Sequence, residues 1–326
     1  MKSQLLDHIL INNGVPVTSI TSLVDGYMLN CRCEGKSQAT IKNHQYRLRC
    51  FLWFCRANNY PDAPQKLGAH HIRQFLWYVA SDPNRWGGAT PSSRKPASQS
   101  TVNHYYRVLN AFFVWLQQEE LIAENPVARL KAPKVEHRVV QALTANEIKR
   151  LLDTCSGKSM LDVRNKAILS ILLDTGLRVS ELANLRLEDV DLNTGAVLVR
   201  HGKGGKQRIV RIGSKAQRAL WRYITIYRRG DSDALFLTRS GELLDVVGIK
   251  ILIRRLSKKG GVRIYGHKLR HTFAINYLRN GGDVFTLQYL LGHSTLQMTQ
   301  RYLQSLNSDD ATNAHRKFSP LDNMRV

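Results

Sequence analysis

Thr175-Gly-Leu-Arg-Val-Ser-Glu-Leu182 is the stretch from which the fold of this chain can be worked out. It follows an apolar helical pattern, and Gly176 is predicted to end that helix because glycine readily adopts the left-handed backbone of a helix C-cap. Arg178 then comes directly after a helix end. Taken alone, this arginine has two interpretations: a functional cation, or a structural salt bridge to Glu181 or Asp174.

Four further groups of polar residues follow this stretch in order along the chain. Each group alone is a weak signal, because short motifs also occur by chance. The ordered set is much more specific than its parts. Its members are Gly202-Lys203-Gly-Gly-Lys206, His267-Lys-Leu-Arg270, Leu291-Gly-His293 and Tyr302, which lies nine residues after that histidine.

In these residues the sequence resembles the tyrosine recombinase (phage integrase) family, and more nearly its Xer-like members. The likeness is strongest in Thr175–Leu192 and His267–Tyr302. It is weakest over residues 1–130, where only the number and size of the helices agree. The chain departs from the family pattern at Tyr265-Gly266, where relatives often carry a proline, and in the residues around Tyr302.

The resemblance implies a site-specific DNA recombinase or integrase that cuts and rejoins strands through a covalent 3′-phosphotyrosyl intermediate. Such an enzyme needs no cofactor, metal ion or ATP, because the phosphotyrosyl bond conserves the energy of the broken phosphodiester. It would serve a mobile element or chromosome maintenance. Two alternatives stay open: a catalytically silent DNA-binding regulator on the same fold, and a type IB topoisomerase, which relaxes DNA without pairing two sites.

The residue types suit metal-free cleavage of a phosphodiester. Arg178 and Arg270 carry permanently charged, planar guanidinium groups that can bind phosphate oxygens and stabilise the pentacoordinate state. The resemblance implies that His267 accepts a proton from the nucleophile or positions it, and that His293 donates a hydrogen bond to the scissile phosphate. It also implies that Lys203 protonates the leaving 5′-hydroxyl.

Tyr302 is the nucleophile that the resemblance implies. A phenol with a pKa of about 10 is mostly protonated at neutral pH, so it requires both the arginine-rich field and a nearby base. Lys206 stays the alternative to Lys203 as the general acid, because both lie in one glycine-rich turn. Three other tyrosines precede His293, cannot occupy the nucleophile's position, and are predicted to pack in the core: Tyr265, Tyr277 and Tyr289.

The charge of the chain favours a polyanionic partner, and double-stranded DNA fits best. There are 48 Lys and Arg against 25 Asp and Glu, a net charge of +23. Up to Lys134 there are 16 basic and 8 acidic residues, and beyond it 32 and 17, so both halves are expected to contact the polyanion. The basic residues are spread through structured segments, and no apolar run reaches the roughly 18 residues of a membrane helix, which disfavours a membrane partner.

The cysteines indicate a reducing compartment, which places the protein in the cytoplasm, on DNA. They form no C-x-x-C pair, so a metal site is not expected. Their odd number and the absence of a signal peptide favour reduced thiols in the core. These residues are Cys31, Cys33, Cys50, Cys55 and Cys155.

The first part of the chain is predicted to be wholly helical, because apolar residues recur there at helical spacing. Between Asp82 and Ser100, three prolines and two glycines predict a long loop without a regular element, a candidate DNA contact. The predicted helices are Ser19–Met28, Ser37–Asn59, Gly68–Ser81 and Ser100–Glu120.

The second part combines helices with one hairpin. Thr144-Ala-Asn-Glu147 matches a capping box that opens a helix to Cys155. Ala196–Arg200 and Gln207–Ile212 flank a Gly/Lys turn and predict a β-hairpin. Further helices are predicted at Leu161–Asp174, Lys215–Arg228, Leu244–Ser257, His267–Leu278, Val284–Leu291 and Leu296–Leu303.

The patterns and the resemblance together predict two domains: an all-α, SAM-like core-DNA-binding domain, and a mainly α catalytic domain with a small β-sheet (α+β). The predicted boundaries are 15–130 for the first domain, 131–143 for a linker, and 144–326 for the catalytic domain with its tail. The resemblance implies a C-shaped clamp and a synaptic tetramer, in which the tail from Ser305 onward is exchanged between protomers.

Overall fold

The computed structural model describes residues 19–135, 140–200 and 207–303, together with Leu306 and Ser319. Contacts divide the chain into two units, Met1–His137 and Arg138–Val326. In the part of the chain that is described, no helix is both long enough and apolar enough to cross a membrane. Each unit has its own core and is described by itself.

Within residues 19–135, the described part of the first unit, four α-helices begin within one residue of the predicted positions. Three of them end within two residues of the prediction, and the first runs five residues beyond the predicted Met28. Serine side chains cap three of them: Ser19, Ser37 and Ser98 each accept a hydrogen bond from the backbone N–H three residues further on. The helices are α1 (Ile20–Cys33), α2 (Gln38–Ala57), α3 (Ala69–Ser81) and α4 (Gln99–Gln118).

Aromatic side chains fill the core of this unit. Phe51 and Phe75 meet edge to face at 5.0 Å between ring centroids, and Phe112 meets Tyr27 at 5.5 Å. All four are at most 2% exposed. Burial of large apolar rings is the main source of stability for a small helical unit, so this core holds the four helices together.

The loop between α3 and α4 is more ordered than the sequence predicted. It contains two 3₁₀ turns, Arg85–Gly88 and Pro91–Ser93. Arg85 is 6% exposed and donates hydrogen bonds to the carbonyl oxygens of Ser92 and Lys95. The prediction of no regular element was therefore wrong, and Arg85 holds the loop together instead of offering a free cation.

In its described residues the second unit is mainly helical with one two-stranded antiparallel sheet, which confirms the predicted fold class. Strand β1 (Ala196–Val199) pairs with strand β2 (Arg208–Arg211), with Val199 opposite Arg208. The helices are α5 (Ala145–Asp153), α6 (Met160–Thr175), α7 (Val179–Ala183), α8 (Ser214–Arg222), α9 (Val246–Gly260), α10 (Gly266–Arg279), α11 (Val284–Leu291) and α12 (Leu296–Leu303).

Two details of this unit differ from the sequence prediction. The short helix α7 was not predicted, since five residues are too few to show helical periodicity. The helix predicted to run to Arg228 is α8 followed by a π-helical turn, Tyr223–Tyr227. The buried Tyr223 hydroxyl accepts a hydrogen bond from the Leu237 N–H, a tertiary contact that no local pattern reveals.

The thiols follow the prediction closely. Of the five free cysteines only Cys33 is exposed, and the other four are buried. Burial raises the pKa of the Cys55 thiol to about 12, with a smaller contribution from Asp62. Such a thiol stays protonated and behaves as a small apolar side chain.

Candidate active site

Two glycines end the helices that lead into the site. Gly176 ends α6 with φ +62°, and Gly292 ends α11 with φ +63°. A Cβ atom at Gly176 would lie 2.4 Å from the Cδ1 atom of Phe273, and one at Gly292 would lie 3.0 Å from Nη1 of Arg208. The positive φ therefore favours glycine at both positions, and at Gly176 a side chain would also clash with Phe273.

The C-terminal end of α11 is surrounded by guanidinium groups. Its last carbonyl groups have no partner within the helix and carry the negative end of the helix dipole. Three consecutive carbonyl oxygens each accept a hydrogen bond from a different arginine: Leu290 from Nε of Arg208 at 2.7 Å, Leu291 from Nη2 of Arg270 at 2.6 Å, and Gly292 from Nη2 of Arg178 at 3.5 Å.

Glu181 lies between the same three arginines. Its carboxylate is 2.7 Å from Nη1 of Arg178, 2.8 and 3.1 Å from the Nη atoms of Arg208, and 3.9 Å from Nη1 of Arg270. It also accepts the backbone N–H of Arg178 at 2.8 Å and so caps α7. Burial opposes ionisation of Glu181, but the hydrogen bonds from Arg208 and Arg178 outweigh it and lower the pKa of the carboxyl.

The three arginines differ in how much of their surface is accessible. The side chain of Arg178 is 27% exposed, whereas those of Arg208 and Arg270 are each 4% exposed. Arg270 also donates to the Gly176 carbonyl oxygen at 2.8 Å. Burial, and then the charge of Arg178, lower the pKa of Arg270 to about 10, which leaves it protonated at neutral pH. The two interpretations of Arg178 are therefore compatible: its guanidinium forms the salt bridge to Glu181, and part of its side chain remains accessible.

Two histidines of the predicted site are held in the neutral state. His267 lies in the first turn of α10 and keeps an exposed edge. Desolvation by the surrounding protein, then the charges of Arg270 and Arg178, lower its pKa. Burial and the arginines lower the pKa of His293 to about 4. The His293 Nδ1 atom is 2.9 Å from the hydroxyl oxygen of the buried Thr299. If the hydroxyl donates, Nε2 of His293 carries the proton and can donate to another group.

Tyr302 lies on α12 beside these groups and is 5% exposed. Its ring stacks on His293 at 6.0 Å between centroids, and it lies 5.3 Å from the ring of His271. Its phenol interacts with the Arg270 guanidinium. The structure therefore gathers five predicted site residues into one place: Arg178, His267, Arg270, His293 and Tyr302.

The sixth predicted residue, Lys203, lies outside the described residues, as does its alternative Lys206. The strands on either side are described, and Arg208 at the start of β2 contacts Glu181 directly. The hairpin is therefore attached to the arginine cluster through its second strand.

The core prediction for the other tyrosines was wrong for two of the three. Tyr265 is 41% exposed and Tyr289 is 59% exposed. On α11 the buried face is formed by Leu287 and Leu291, and Tyr289 points away from it. Of the three tyrosines, only Tyr277 is partly buried, and it packs against the cluster around Tyr302. The spacing along the sequence did not distinguish Tyr277 from the other two.

Sequence reasoning also missed two buried polar residues of the site, Arg208 and His271. Residues of β2 alternate between buried and exposed, which puts Arg208 on the same face as the buried Val210. This strand alternation was a usable signal. His271 is 6% exposed and follows Arg270 directly, and within the described ranges its Nε2 atom has no hydrogen-bond partner.

Comparison with known proteins agrees with this geometry. The profile of the Phage integrase family matches residues 141–308, and that of the phage integrase N-terminal SAM-like domain matches residues 23–123. The tyrosine recombinase XerC of Bacillus pumilus is 39% identical over 223 residues, which cover 65% of this chain and 73% of that protein. XerC of Oceanobacillus iheyensis is 34% identical over 299 residues, which cover 89% and 93%.

Among solved structures, the Tn1549 transposon integrase in complex with a circular intermediate DNA has a TM-score of 0.71 and 20% identity, covering 92% of this chain and 99% of that one. At that identity the likeness concerns the fold. The family match and the Xer relatives go further: the chain belongs to the phage integrase family of tyrosine recombinases. It is an enzyme of the site-specific DNA recombinase type.

Proposed function

We propose that this recombinase cuts and rejoins double-stranded DNA through a covalent 3′-phosphotyrosyl intermediate on Tyr302, without a metal ion or ATP. The observation that carries the proposal is the position of Tyr302. The Tyr302 ring is buried and stacks on His293, and its phenol interacts with Arg270, so a phosphate bound by those two residues would lie beside the nucleophile.

The two arginines supply the charge stabilisation. When the Tyr302 oxygen attacks phosphorus, negative charge builds on the non-bridging oxygens of the phosphate. Arg178 has an accessible face toward that charge, and each Nη atom of Arg270 has a second proton beyond its carbonyl contact. Removing one such preorganised donor typically costs about 10²–10³-fold in rate.

Proton transfer follows from the neutral histidines. The bond that forms joins the Tyr302 oxygen to phosphorus, and its proton passes to His267, whose lowered pKa leaves the imidazole free to accept it. The bond that breaks joins phosphorus to the 5′-oxygen, which leaves with a proton from Lys203. His293 donates a hydrogen bond from Nε2 to a non-bridging oxygen.

The wider assembly belongs to the same proposal. Both units contact the duplex, since each half of the chain carries a net positive charge. Four protomers act on two DNA sites in the cytoplasm, and the tail beyond Ser305 links neighbouring protomers. The enzyme serves a mobile element or chromosome maintenance. The solved Tn1549 integrase complex with DNA supports the choice of DNA as the partner.

The test is covalent capture on a nicked suicide substrate that carries the recombination site. Wild-type protein is expected to form an adduct stable to SDS, and Tyr302→Phe is expected to form none while binding DNA normally. Tyr289→Phe is the matched control, because Tyr289 is exposed on the neighbouring helix and should react like wild type.

An adduct that persists in Tyr302→Phe would overturn the assignment of the nucleophile. DNA binding without any adduct would favour the silent regulator. Relaxation of supercoils that needs no specific pair of sites would favour a type IB topoisomerase.

A further inference from the structure

We propose that Arg208 is a positioning residue of this active site, which acts on the scissile phosphate only through Glu181. Arg208 neutralises the Glu181 carboxylate and holds it in place, so that the charges of Arg178 and Arg270 remain available to the phosphate. The inference rests on the proposed function, because it concerns the same cleavage step.

The hydrogen bonds of Arg208 direct its guanidinium at Glu181 instead of at the phosphate. Each of its three guanidinium nitrogens already donates a hydrogen bond, two to Glu181 and one to the Leu290 carbonyl oxygen. The two Nη atoms of Arg208 lie 2.8 and 3.1 Å from the Glu181 carboxylate, whereas the equally buried Arg270 approaches it only to 3.9 Å. A bidentate contact between a guanidinium and a carboxylate is the strongest and most directional form of ion pair. Arg208 is therefore committed to Glu181.

The charge count explains why the site needs a third arginine. In the arginine cluster, Arg178, Arg208 and Arg270 contribute three positive charges and Glu181 one negative charge, a net charge of +2. Lys203, whose proton is assigned to the leaving 5′-oxygen, is not part of this count. A monoanionic phosphodiester attacked by an oxyanion gains a second negative charge, so about two positive charges match the transition state. Without Arg208 the net charge is +1, and a buried carboxylate repels the phosphate through a medium that screens poorly.

Arg208 also fits the backbone that carries His293. A Cβ atom at Gly292 would lie 3.0 Å from Nη1 and 3.2 Å from Cζ of Arg208. The glycine in Leu291-Gly-His293 therefore leaves room for this guanidinium. Since Nε of Arg208 bonds the Leu290 carbonyl oxygen, the arginine connects β2 to the end of α11, one residue before Leu291.

The experiment is a double-mutant cycle read out as the rate of adduct formation on the suicide substrate, with DNA in saturating excess. Arg208→Met is expected to lower the rate by about 10²-fold, because the buried Glu181 loses its bidentate partner and then draws on the charge of Arg178 and Arg270 alone. Adding Glu181→Gln to Arg208→Met restores the net charge of +2. The double variant is expected to form the adduct at least about tenfold faster than Arg208→Met.

Arg211→Met is the matched control. Arg211 lies on the same strand, is exposed, and loses the same charge on substitution. Its rate is expected to stay within about threefold of wild type. If Arg211→Met slowed adduct formation as much as Arg208→Met, the overall charge of the strand would be what matters. That result would overturn the specific role of Arg208.

A second readout separates charge from folding. A substrate with a neutral methylphosphonate at the scissile position carries one negative charge fewer in the transition state. It feels less repulsion from Glu181, so the deficit of Arg208→Met relative to wild type should shrink at least tenfold. A purely structural defect would slow both substrates equally, and that result would overturn the proposal.

If Arg208→Met does not fold, the double variant is compared with Glu181→Gln alone. Rates within about tenfold of each other are expected, because once Glu181 is neutral the remaining contact of Arg208 is its hydrogen bond to the Leu290 carbonyl oxygen. A folded double variant that is more than tenfold slower would mean that Arg208 contacts the phosphate itself. If wild-type protein forms no adduct at all, the proposed function fails, and the result does not bear on Arg208.

Discussion

At the centre of the helical unit lie phenylalanine rings, whereas at the centre of the active site lie three arginines and one glutamate. Phe51, Phe75 and Phe112 are fully buried. Glu181 and Arg270 are each 4% exposed and Arg208 is 5% exposed. One unit therefore gains stability from burial of apolar surface, and the other buries charges that are stable only as a complete, hydrogen-bonded set.

The difference teaches where a substitution will be felt. Removing a ring from the aromatic core lowers the free energy of unfolding. The apolar groups around that ring take no part in the reaction. A buried charge network loses function as well, because each remaining charge changes its effect on the substrate. Three predictions test this contrast, ordered from the largest expected change in free energy to the smallest.

The largest effect is expected in the aromatic core. Phe112→Ala removes a ring that contacts Tyr27 and Phe113 at 5.5 and 5.4 Å, and it should lower the free energy of unfolding by about 3–5 kcal/mol. Urea unfolding measures this. Trp77→Ala is the control, because Trp77 is 71% exposed and its loss should change the free energy by less than about 0.5 kcal/mol. Equal losses would contradict the assignment of the core.

The second effect is on chemistry. Arg178→Ala should slow adduct formation by about 10²–10³-fold. A substrate with a 5′-bridging phosphorothiolate, whose sulfur leaves without a proton, should rescue Lys203→Ala but not Arg178→Ala. In Arg178→Ala, negative charge still builds on the non-bridging oxygens, and the guanidinium that stabilises it is missing.

Lys206→Ala serves as the internal control for this experiment. Rescue of Lys206→Ala in place of Lys203→Ala would move the general acid three residues along the chain. If neither lysine variant is rescued, neither lysine is the acid, and His267 becomes the candidate for that role.

The smallest effect is a pH dependence of stability that arises at the active site. His293 has a pKa of about 4 in the folded protein and about 6.5 when unfolded. Between these values the unfolded chain binds more protons, so the free energy of unfolding falls as the pH is lowered from about 7 toward 4. In His293→Asn the fall between pH 7 and pH 5 should be smaller. Parallel curves for the two proteins would contradict this.

Much of the fold was readable from local patterns. Helices of ten or more residues show their period and their capping residues, so α2 and α6 begin and end within two residues of the predicted positions. The five residues of α7 and the π turn at Tyr223–Tyr227 were not predicted. They depend on contacts from distant segments, which a local pattern does not contain.

The sequence by itself determined the family, the helical class and the identity of the candidate catalytic groups, since these follow from residue types in a given order. Tertiary structure alone decided how the charges are paired. Glu181 and Arg208 are 27 positions apart and meet only because β2 and α7 come together in the fold. Whether a buried charge is available to a substrate or already committed depends on such distances, and spacing along the chain does not specify them.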